Sequence, residues 1–175
     1  LMVTFELPRA EAAFFMSLLL LGWAVGAPFS GWLSDHIGRR KPILVTGLVV
    51  ICIMLAVVTG ISDLPLTAVV ACLVVIGLSG GGMTACFGLV KDVMPAPLAG
   101  ASTGVVNSMT VASGAILQPF VGLALDLQWD GRLVDGARHY AEGDYRTAFT
   151  LVLVAAVIGL VTALSLRETP RGHAP

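Results

Sequence analysis

Long apolar runs separated by short polar stretches constrain this 175-residue chain more than any other feature of its sequence. The hydrocarbon core of a bilayer is roughly 30 Å thick, and a helix of about 20 apolar residues crosses it. Composition agrees, since 12% of the residues are charged whereas about a quarter are charged in soluble domains. We therefore expect an all-α polytopic membrane protein, with residues 1–175 forming a single domain in the lipid bilayer. The runs predict five transmembrane helices, at about residues 12–32, 42–61, 66–90, 101–125 and 147–166.

The sequence argues against several other classes of function. The net charge is −1, and no feature predicts a nucleic-acid partner. No nucleophile, base and orienting group converge, so we expect no enzymatic activity, no cofactor and no metal. Residues 80–82 are three glycines, but the Lys-Ser/Thr that would complete a nucleotide loop does not follow. The cysteines lie inside apolar runs without metal-site spacing and are interpreted as packing residues: Cys52, Cys72 and Cys86.

Basic residues are concentrated in one set of the loops between the runs. The positive-inside rule assigns such loops to the cytoplasm, most firmly when the charges cluster in a very short loop. We therefore expect the amino terminus outside and the carboxyl terminus in the cytoplasm, in a cytoplasmic (inner) membrane. The basic residues of this set are Arg39, Arg40, Lys41, Lys91, Arg167 and Arg171.

Residues 31–41, which we call the signature turn, read Gly-Trp-Leu-Ser-Asp-His-Ile-Gly-Arg-Arg-Lys between the first two predicted helices. Asp35 lies at the carboxyl end of a helix, where unpaired carbonyls and the helix dipole disfavour a carboxylate. It therefore needs cationic or amide partners, and Gly38 permits the tight reversal that would bring the following cations close. By charge alone, the turn could equally be a positive-inside anchor and nothing more.

The order of residue types in this turn resembles the cytoplasmic signature loop of the major facilitator superfamily. Asp92-Val-Met-Pro95 is similar to the family's acidic-x-x-Pro motif, although Ala99 stands where an arginine often follows. The third helix lacks the arginine that usually opens its counterpart in the amino-terminal half, which favours the carboxyl-terminal half. The positions that match the signature loop are Gly31, Leu33, Asp35, Gly38, Arg39, Arg40 and Lys41.

The resemblance implies five helices of a six-helix half-bundle, the eighth to the twelfth, with the amino-terminal half-bundle absent from this chain and supplied by the same gene or a separate chain. It implies alternating-access secondary transport of a small solute across the cytoplasmic membrane. By analogy, Asp35 would meet a helix end of the absent half and Arg39 could pair with Asp92. The alternative is a truncated or stand-alone chain that does not transport, as a membrane fragment or interaction module. The implied conformational latch comprises Gly31, Asp35, Gly38, Arg39, Arg40, Lys41 and Asp92.

Polar residues on the fourth predicted helix fall within one stripe at about 100° per residue. Lipid cannot satisfy the amides of Asn107 and Gln118, so these side chains should line a translocation path or bond to a neighbouring helix; the sequence does not decide between the two. No Asp, Glu, Lys, Arg or His lies near the middle of any predicted helix, so no proton-relay carboxylate is expected there. The candidate path residues are Thr103, Asn107, Gly114 and Gln118.

Small residues predict where helices approach closely or bend. Glycines spaced by four, in the first and third predicted helices, let helix backbones pack together. Pro119 removes a backbone hydrogen bond from the fourth helix, which predicts a kink or hinge near Gly122. The glycines assigned to packing are Gly22, Gly26, Gly77 and Gly81.

Overall fold

The computed structural model describes residues 1–134 and 137–166. Its helices are α1 (Arg9–Ile37), α2 (Lys41–Gly60), α3 (Leu66–Gly80), α4 (Thr84–Val93), α5 (Ala99–Gln128) and α6 (Glu142–Ser165). A 3₁₀ turn, Gly81–Met83, joins α3 and α4 into one span, and a second, Ala96–Leu98, precedes α5. Five of the resulting segments are long and apolar enough to cross a membrane. The prediction of an all-α chain with five membrane helices is confirmed.

The first helix extends beyond its predicted end at residue 32. It continues through Asp35 to Ile37, and Gly38 ends it in the left-handed conformation with φ 71°. The Gly38 N–H donates to the Asp35 carbonyl at 3.3 Å. A glycine adopts this conformation without the steric cost that a Cβ would add. The reversal therefore takes only residues 38–40, and Asp35 lies on the last helical turn.

The helices pack through small side chains and exposed backbone. Helix α1 lies along α3, α2 lies between α3 and α6, and α5 packs against α4 and α6. The buried cluster consists of Leu44, Ala85 and Ala163, which come from α2, α4 and α6. Lipid tails are as apolar as leucine, so helices in a membrane associate through close packing and polar contacts instead of hydrophobic burial. A buried cluster of only these small dimensions is therefore expected for helices that are surrounded by lipid.

Glycines bring α1 and α3 into backbone contact. A Cβ on Gly22 would lie 2.8 Å from the Val74 carbonyl oxygen, and one on Gly26 would overlap the Leu78 backbone. Gly77 faces the Leu19 backbone in the same way. These positions accept no larger side chain unless the two helices separate.

The 3₁₀ turn inside the third span lies where three helices meet. Gly81 faces the backbone of Gly26 and Ala27 on α1, while Gly82 would place a Cβ 3.3 Å from the Ile43 carbonyl oxygen of α2. The Thr84 hydroxyl donates to the Gly81 carbonyl at 2.9 Å. Glycine at successive positions lets this span approach both neighbours at one level.

A short hairpin follows α5 in the long polar segment. Strands β1 (Leu133–Val134) and β2 (Ala137–Arg138) are antiparallel, with Leu133 opposite Arg138. Arg138 Nη1 lies 2.6 Å from Asp126 Oδ1, and its guanidinium lies 4.6 Å from the centre of the Trp129 ring. The hairpin is thereby attached to the end of α5.

Candidate functional site

The signature turn brings three predicted residues together at one end of the bundle. Arg40 Nη2 lies 2.9 Å from Asp35 Oδ1 on α1, and Arg40 Nε lies 3.2 Å from Asp92 Oδ2 on α4. Only 14% of the Arg40 side chain is exposed, compared with 62% for Asp35 and 24% for Asp92. The guanidinium therefore joins the first and third spans, and its low exposure strengthens the attraction over that of a surface pair.

The structure places Arg40 against Asp92. The contact of Arg39 with Asp92 that the analogy implied stays a prediction. Arg39 is exposed on the turn, and Gly31 is half-buried with open space beside it. Gly38 closes α1 as described above. The turn thus places an arginine, Arg40, between two carboxylates.

The Arg40 guanidinium also contacts two residues that the sequence did not connect with the turn, Ser34 and Gly88; the spacing of Gly88 from Thr84 had indicated only helix packing. The Ser34 hydroxyl accepts a hydrogen bond from Arg40 Nη1 at 2.7 Å and donates to the Gly31 carbonyl at 3.0 Å. Ser34 is 1% exposed. Gly88 on α4 lies directly beneath the guanidinium, since a Cβ there would overlap Arg40 Nε and Cζ. Gly88 precedes Asp92 by four residues, the spacing that places two residues on the same helix face.

Lys41, the other cation of the turn, reaches a different helix. Its Nζ donates to the carbonyls of Leu164 and Leu166 at 2.7 Å each. These carbonyls end α6, where four carbonyls lack helical partners and the helix dipole attracts a cation. Arg40 and Lys41 together connect α2 to α1, α4 and α6 at this end of the bundle.

A matching contact joins α2 and α6 at the opposite end. Arg146, in the first turns of α6, donates from Nε to the Thr59 carbonyl at 3.1 Å and from Nη1 to Ser62 Oγ at 2.9 Å. Thr59 lies in the last turn of α2. Each helix of this antiparallel pair therefore supplies a cation to the carboxyl end of the other.

The α5 candidates differ in exposure. Asn107, Gly114 and Gln118 are exposed, and neither amide makes a hydrogen bond among the described residues. Thr103 is half-buried, and its hydroxyl donates to the Ala99 carbonyl of its own helix at 2.7 Å. The structure thus leaves three of the four candidates exposed, while Thr103, in the same stripe at 100° per residue, is half-buried.

Helix α5 is continuous through Pro119. A Cβ added at Gly114 or Gly122 would meet no atom within 4 Å. These α5 glycines therefore differ from Gly26 and Gly81, which lie against backbone of another span. Within residues 1–134 and 137–166, no helix packs on this part of α5 closely enough to require glycine there.

The hairpin end carries a second charged group, outside the spans. The Tyr140 hydroxyl donates to Asp126 Oδ1 at 2.5 Å, and this hydrogen bond raises the pKa of Tyr140 above its ordinary value. The hydrogen bond of Arg138 to the same carboxylate raises the pKa of Arg138. Arg138 is exposed and Tyr140 is half-buried, so the group fixes the hairpin on α5 with its charges near the surface.

The chemistry available at the turn is electrostatic. In the described part of the chain, no group of three His, Cys, Asp or Glu side chains could hold a metal ion. The open face of α5 offers amide donors and acceptors to a ligand or a second helix bundle.

Comparison with known proteins agrees with these features. The sequence model of the Major Facilitator Superfamily matches residues 1–175. The chain is also similar to Inositol transporter 4 and Probable inositol transporter 3, both from Arabidopsis thaliana. Each is 26% identical over 157 residues, covering 89% of this chain and 24% of the relative, so the chain spans about a quarter of their length. No solved structure matches the chain at a significant level.

Proposed function

Because the chain belongs to the Major Facilitator Superfamily, we propose that it forms part of a carrier that moves a small solute across the cytoplasmic membrane by alternating access. The chain is an integral membrane protein of a transporter family. Its partner in this proposal is an amino-terminal half-bundle, encoded with it or separately. The two halves rock against each other around a site near the middle of the membrane.

The observation that carries this proposal is the position of Arg40 between Asp35 and Asp92. It ties the ends of α1 and α4, so the two helices can move as one body when the halves rock. Asp35 is the most exposed of the three, which leaves its side chain accessible to a helix amino terminus of the partner half. Such a terminus attracts a carboxylate through its unpaired N–H groups and its dipole. The contact would hold one end of the carrier closed.

The sidedness of this latch follows from charge. The signature turn carries Arg39, Arg40 and Lys41 within three residues, and short loops with such clusters remain cytoplasmic. The turn and the carboxyl end of α6 lie at one end of the bundle, since Lys41 bonds Leu164 and Leu166. We therefore assign the latch and the carboxyl terminus to the cytoplasm and the amino terminus to the outside.

The open face of α5 is the proposed wall of the translocation path. Small or polar side chains and large apolar side chains occupy different sides of this helix at 100° per residue. The large apolar side is suited to lipid. The small and polar side is suited to a solute or to the partner half-bundle. The apolar side carries Val105, Met109, Ile116, Phe120 and Leu123, and the polar side carries Gly104, Asn107, Ser108, Gly114 and Gln118.

We propose a small neutral polyhydroxylated compound as the solute class. Two relatives carry inositol in their names, which supports this class for the present chain. Asn107 and Gln118 each offer both a donor and an acceptor, which matches hydroxyl groups. No charged residue lies near the middle of α5, so this helix provides no counter-ion for an anionic or cationic solute.

Asp35→Asn in the complete protein tests the proposed function. The substitution keeps the side-chain shape and removes the charge that Arg40 and the partner helix use. Since Asp35 is largely exposed, we expect about 2- to 5-fold slower uptake of a labelled polyol into vesicles, at equal protein in the membrane. Glu11→Gln, on the first turn of the same helix at the other end, is the matched control and should leave uptake unchanged. Equal uptake by Asp35→Asn and wild type would reduce the turn to a topological anchor.

A further inference from the structure

We infer that Gly88 and Ser34 are positioning residues that hold the Arg40 guanidinium in the orientation the latch requires. This inference rests on the proposed function for its consequence in transport, but its structural part can be measured separately. Neither residue belongs to the turn's matched positions. Each acts on the latch only through Arg40.

Three atoms of Arg40 have separate partners. Nε faces Asp92 on α4, Nη2 faces Asp35 on α1, and Nη1 donates to Ser34 Oγ. A planar guanidinium presents its donors in fixed directions, so occupying three nitrogens sets its plane as well as its position. A lysine at this position could supply charge but could not satisfy the same three directions.

Ser34 fixes one edge of that plane. Its hydroxyl proton is used by the Gly31 carbonyl, which leaves the oxygen lone pairs toward Arg40 Nη1. Ser34 is 1% exposed, so water cannot replace this acceptor. Removing the hydroxyl would leave a mostly buried N–H of a charged group without its acceptor, which is unfavourable.

Gly88 allows the guanidinium to take this position because it has no side chain. A Cβ at this position would overlap Arg40 Nε and Cζ and would lie 2.7 Å from Cδ. A long side chain can usually move away from such an overlap, but this one is held at three nitrogens. Displacing it would break its contacts with Asp92 and Asp35 together. Gly88 therefore contacts one side of the guanidinium, and Asp92, one helical turn later, accepts from its Nε.

The glycine is otherwise unfavourable at this position. Gly88 lies inside α4 with an ordinary helical conformation, where alanine is normally preferred over glycine. The effect of Gly88→Ala should therefore change sign according to whether Arg40 is present. A glycine retained only to pack α4 against a neighbouring backbone would give the same effect in both backgrounds.

The test is a double-mutant cycle on thermal unfolding of the complete protein in detergent. Gly88→Ala should lower the melting temperature by about 2 °C or more in the wild-type background. In an Arg40→Ala background the same substitution should leave it unchanged or raise it. Gly159→Ala on α6, where a Cβ meets Leu48 at an ordinary 3.8 Å, is the control and should have the same effect in both backgrounds. An equal loss from Gly88→Ala in both backgrounds would overturn the inference for Gly88.

Ser34→Ala provides an independent arm of the same cycle. It should lower the melting temperature when Arg40 is present and have little effect when Arg40 is replaced by alanine. Additive losses would overturn the role of Ser34. Uptake is then measured on the same variants. If the melting temperatures depend on Arg40 but uptake is unchanged, the positioning role is retained and the latch is rejected. If the melting temperatures depend on Arg40 and uptake is slower, both are supported.

Discussion

Gly81→Ala should separate α1 from α3 and destabilise the bundle. The added Cβ would lie 2.6 Å from the Gly26 carbonyl oxygen and closer still to Gly26 C and Ala27 N, whereas ordinary Cβ contacts begin at 3.4 Å. All three atoms are backbone, so no side-chain rotation relieves the overlap. The helices must move apart, which also loosens the contact of Gly22 with Val74.

The magnitude follows from two opposing effects. Overpacking of this kind costs about 1–3 kcal/mol, while replacing a helical glycine by alanine gains about 0.5–1 kcal/mol. The middle of the two ranges gives a net loss of about 1 kcal/mol, or a melting temperature lower by about 2 °C or more. Gly104→Ala on α5 is the control, because a Cβ there meets no atom within 4 Å and only the helix-propensity gain remains.

Tryptophan fluorescence can report on the contact between α1 and α3. Trp23 on α1 lies beside Gly80, with its ring 3.4 Å from where a Cβ on that glycine would be. Its fluorescence should therefore shift as α1 and α3 separate during heating in detergent. If Gly81→Ala melts at or above the wild-type temperature and matches Gly104→Ala, the close approach of α1 and α3 at this level is refuted.

Three further predictions concern the remaining contacts. Lys41→Ala should destabilise the protein by about 1 kcal/mol in thermal melts by removing the cation from the end of α6; Lys91→Ala should not, and equal effects would contradict the contact. Asp126→Asn should lower the raised pKa of Tyr140 in a titration of tyrosinate absorbance, because the carboxylate that accepts its proton is lost; an unchanged curve would contradict that hydrogen bond. Since this pKa is raised in the folded state, the stabilisation is present below the ordinary ionisation range and is lost as pH rises through the raised value. Gln118→Ala should weaken solute binding about 2- to 10-fold without changing the melting temperature, and the reverse pattern would favour a helix-packing role.

The sequence was sufficient for the number and type of the helices, because membrane spans depend on long apolar runs and little else. Residues 12–32 were predicted as the membrane span, and the helix continues beyond it to Ile37. Ser34, Asp35 and His36 do not end the helix, whereas Gly38 does. Helix ends depend on one or two residues, and an apolar pattern does not locate them.

The residues of the signature turn were selected from the sequence, but the contacts of Arg40 were not predicted. That Arg40 reaches Asp92 depends on the turn geometry set by Gly38, and this geometry cannot be read from residue order. Ser34 and Gly88 carry no charge and became visible only when the guanidinium was placed between them. The spacing of Gly88 and Asp92 by four residues was the available signal.

The contact between α2 and α6 could not be predicted from residue order either. Arg146 and Lys41 are separated by more than a hundred positions, and only the antiparallel packing of the two helices brings each to the other's carboxyl end. On α5, helical periodicity placed Asn107, Gly114 and Gln118 on one face. It could not show that Thr103, in the same stripe, is half-buried, since burial depends on which neighbouring segments pack at that end of α5.

Labelling of single cysteines on α5 tests alternating access most directly. In the complete protein with every native cysteine replaced by serine, including Cys52, Cys72 and Cys86, Gln118→Cys places a thiol on the polar face and Phe120→Cys places one on the apolar face. Alternating access predicts that Gln118→Cys reacts with a membrane-impermeant maleimide added from either side, more slowly when solute is bound, while Phe120→Cys stays protected by lipid. Labelling of Gln118→Cys from one side only, or equal labelling of both thiols, would contradict it.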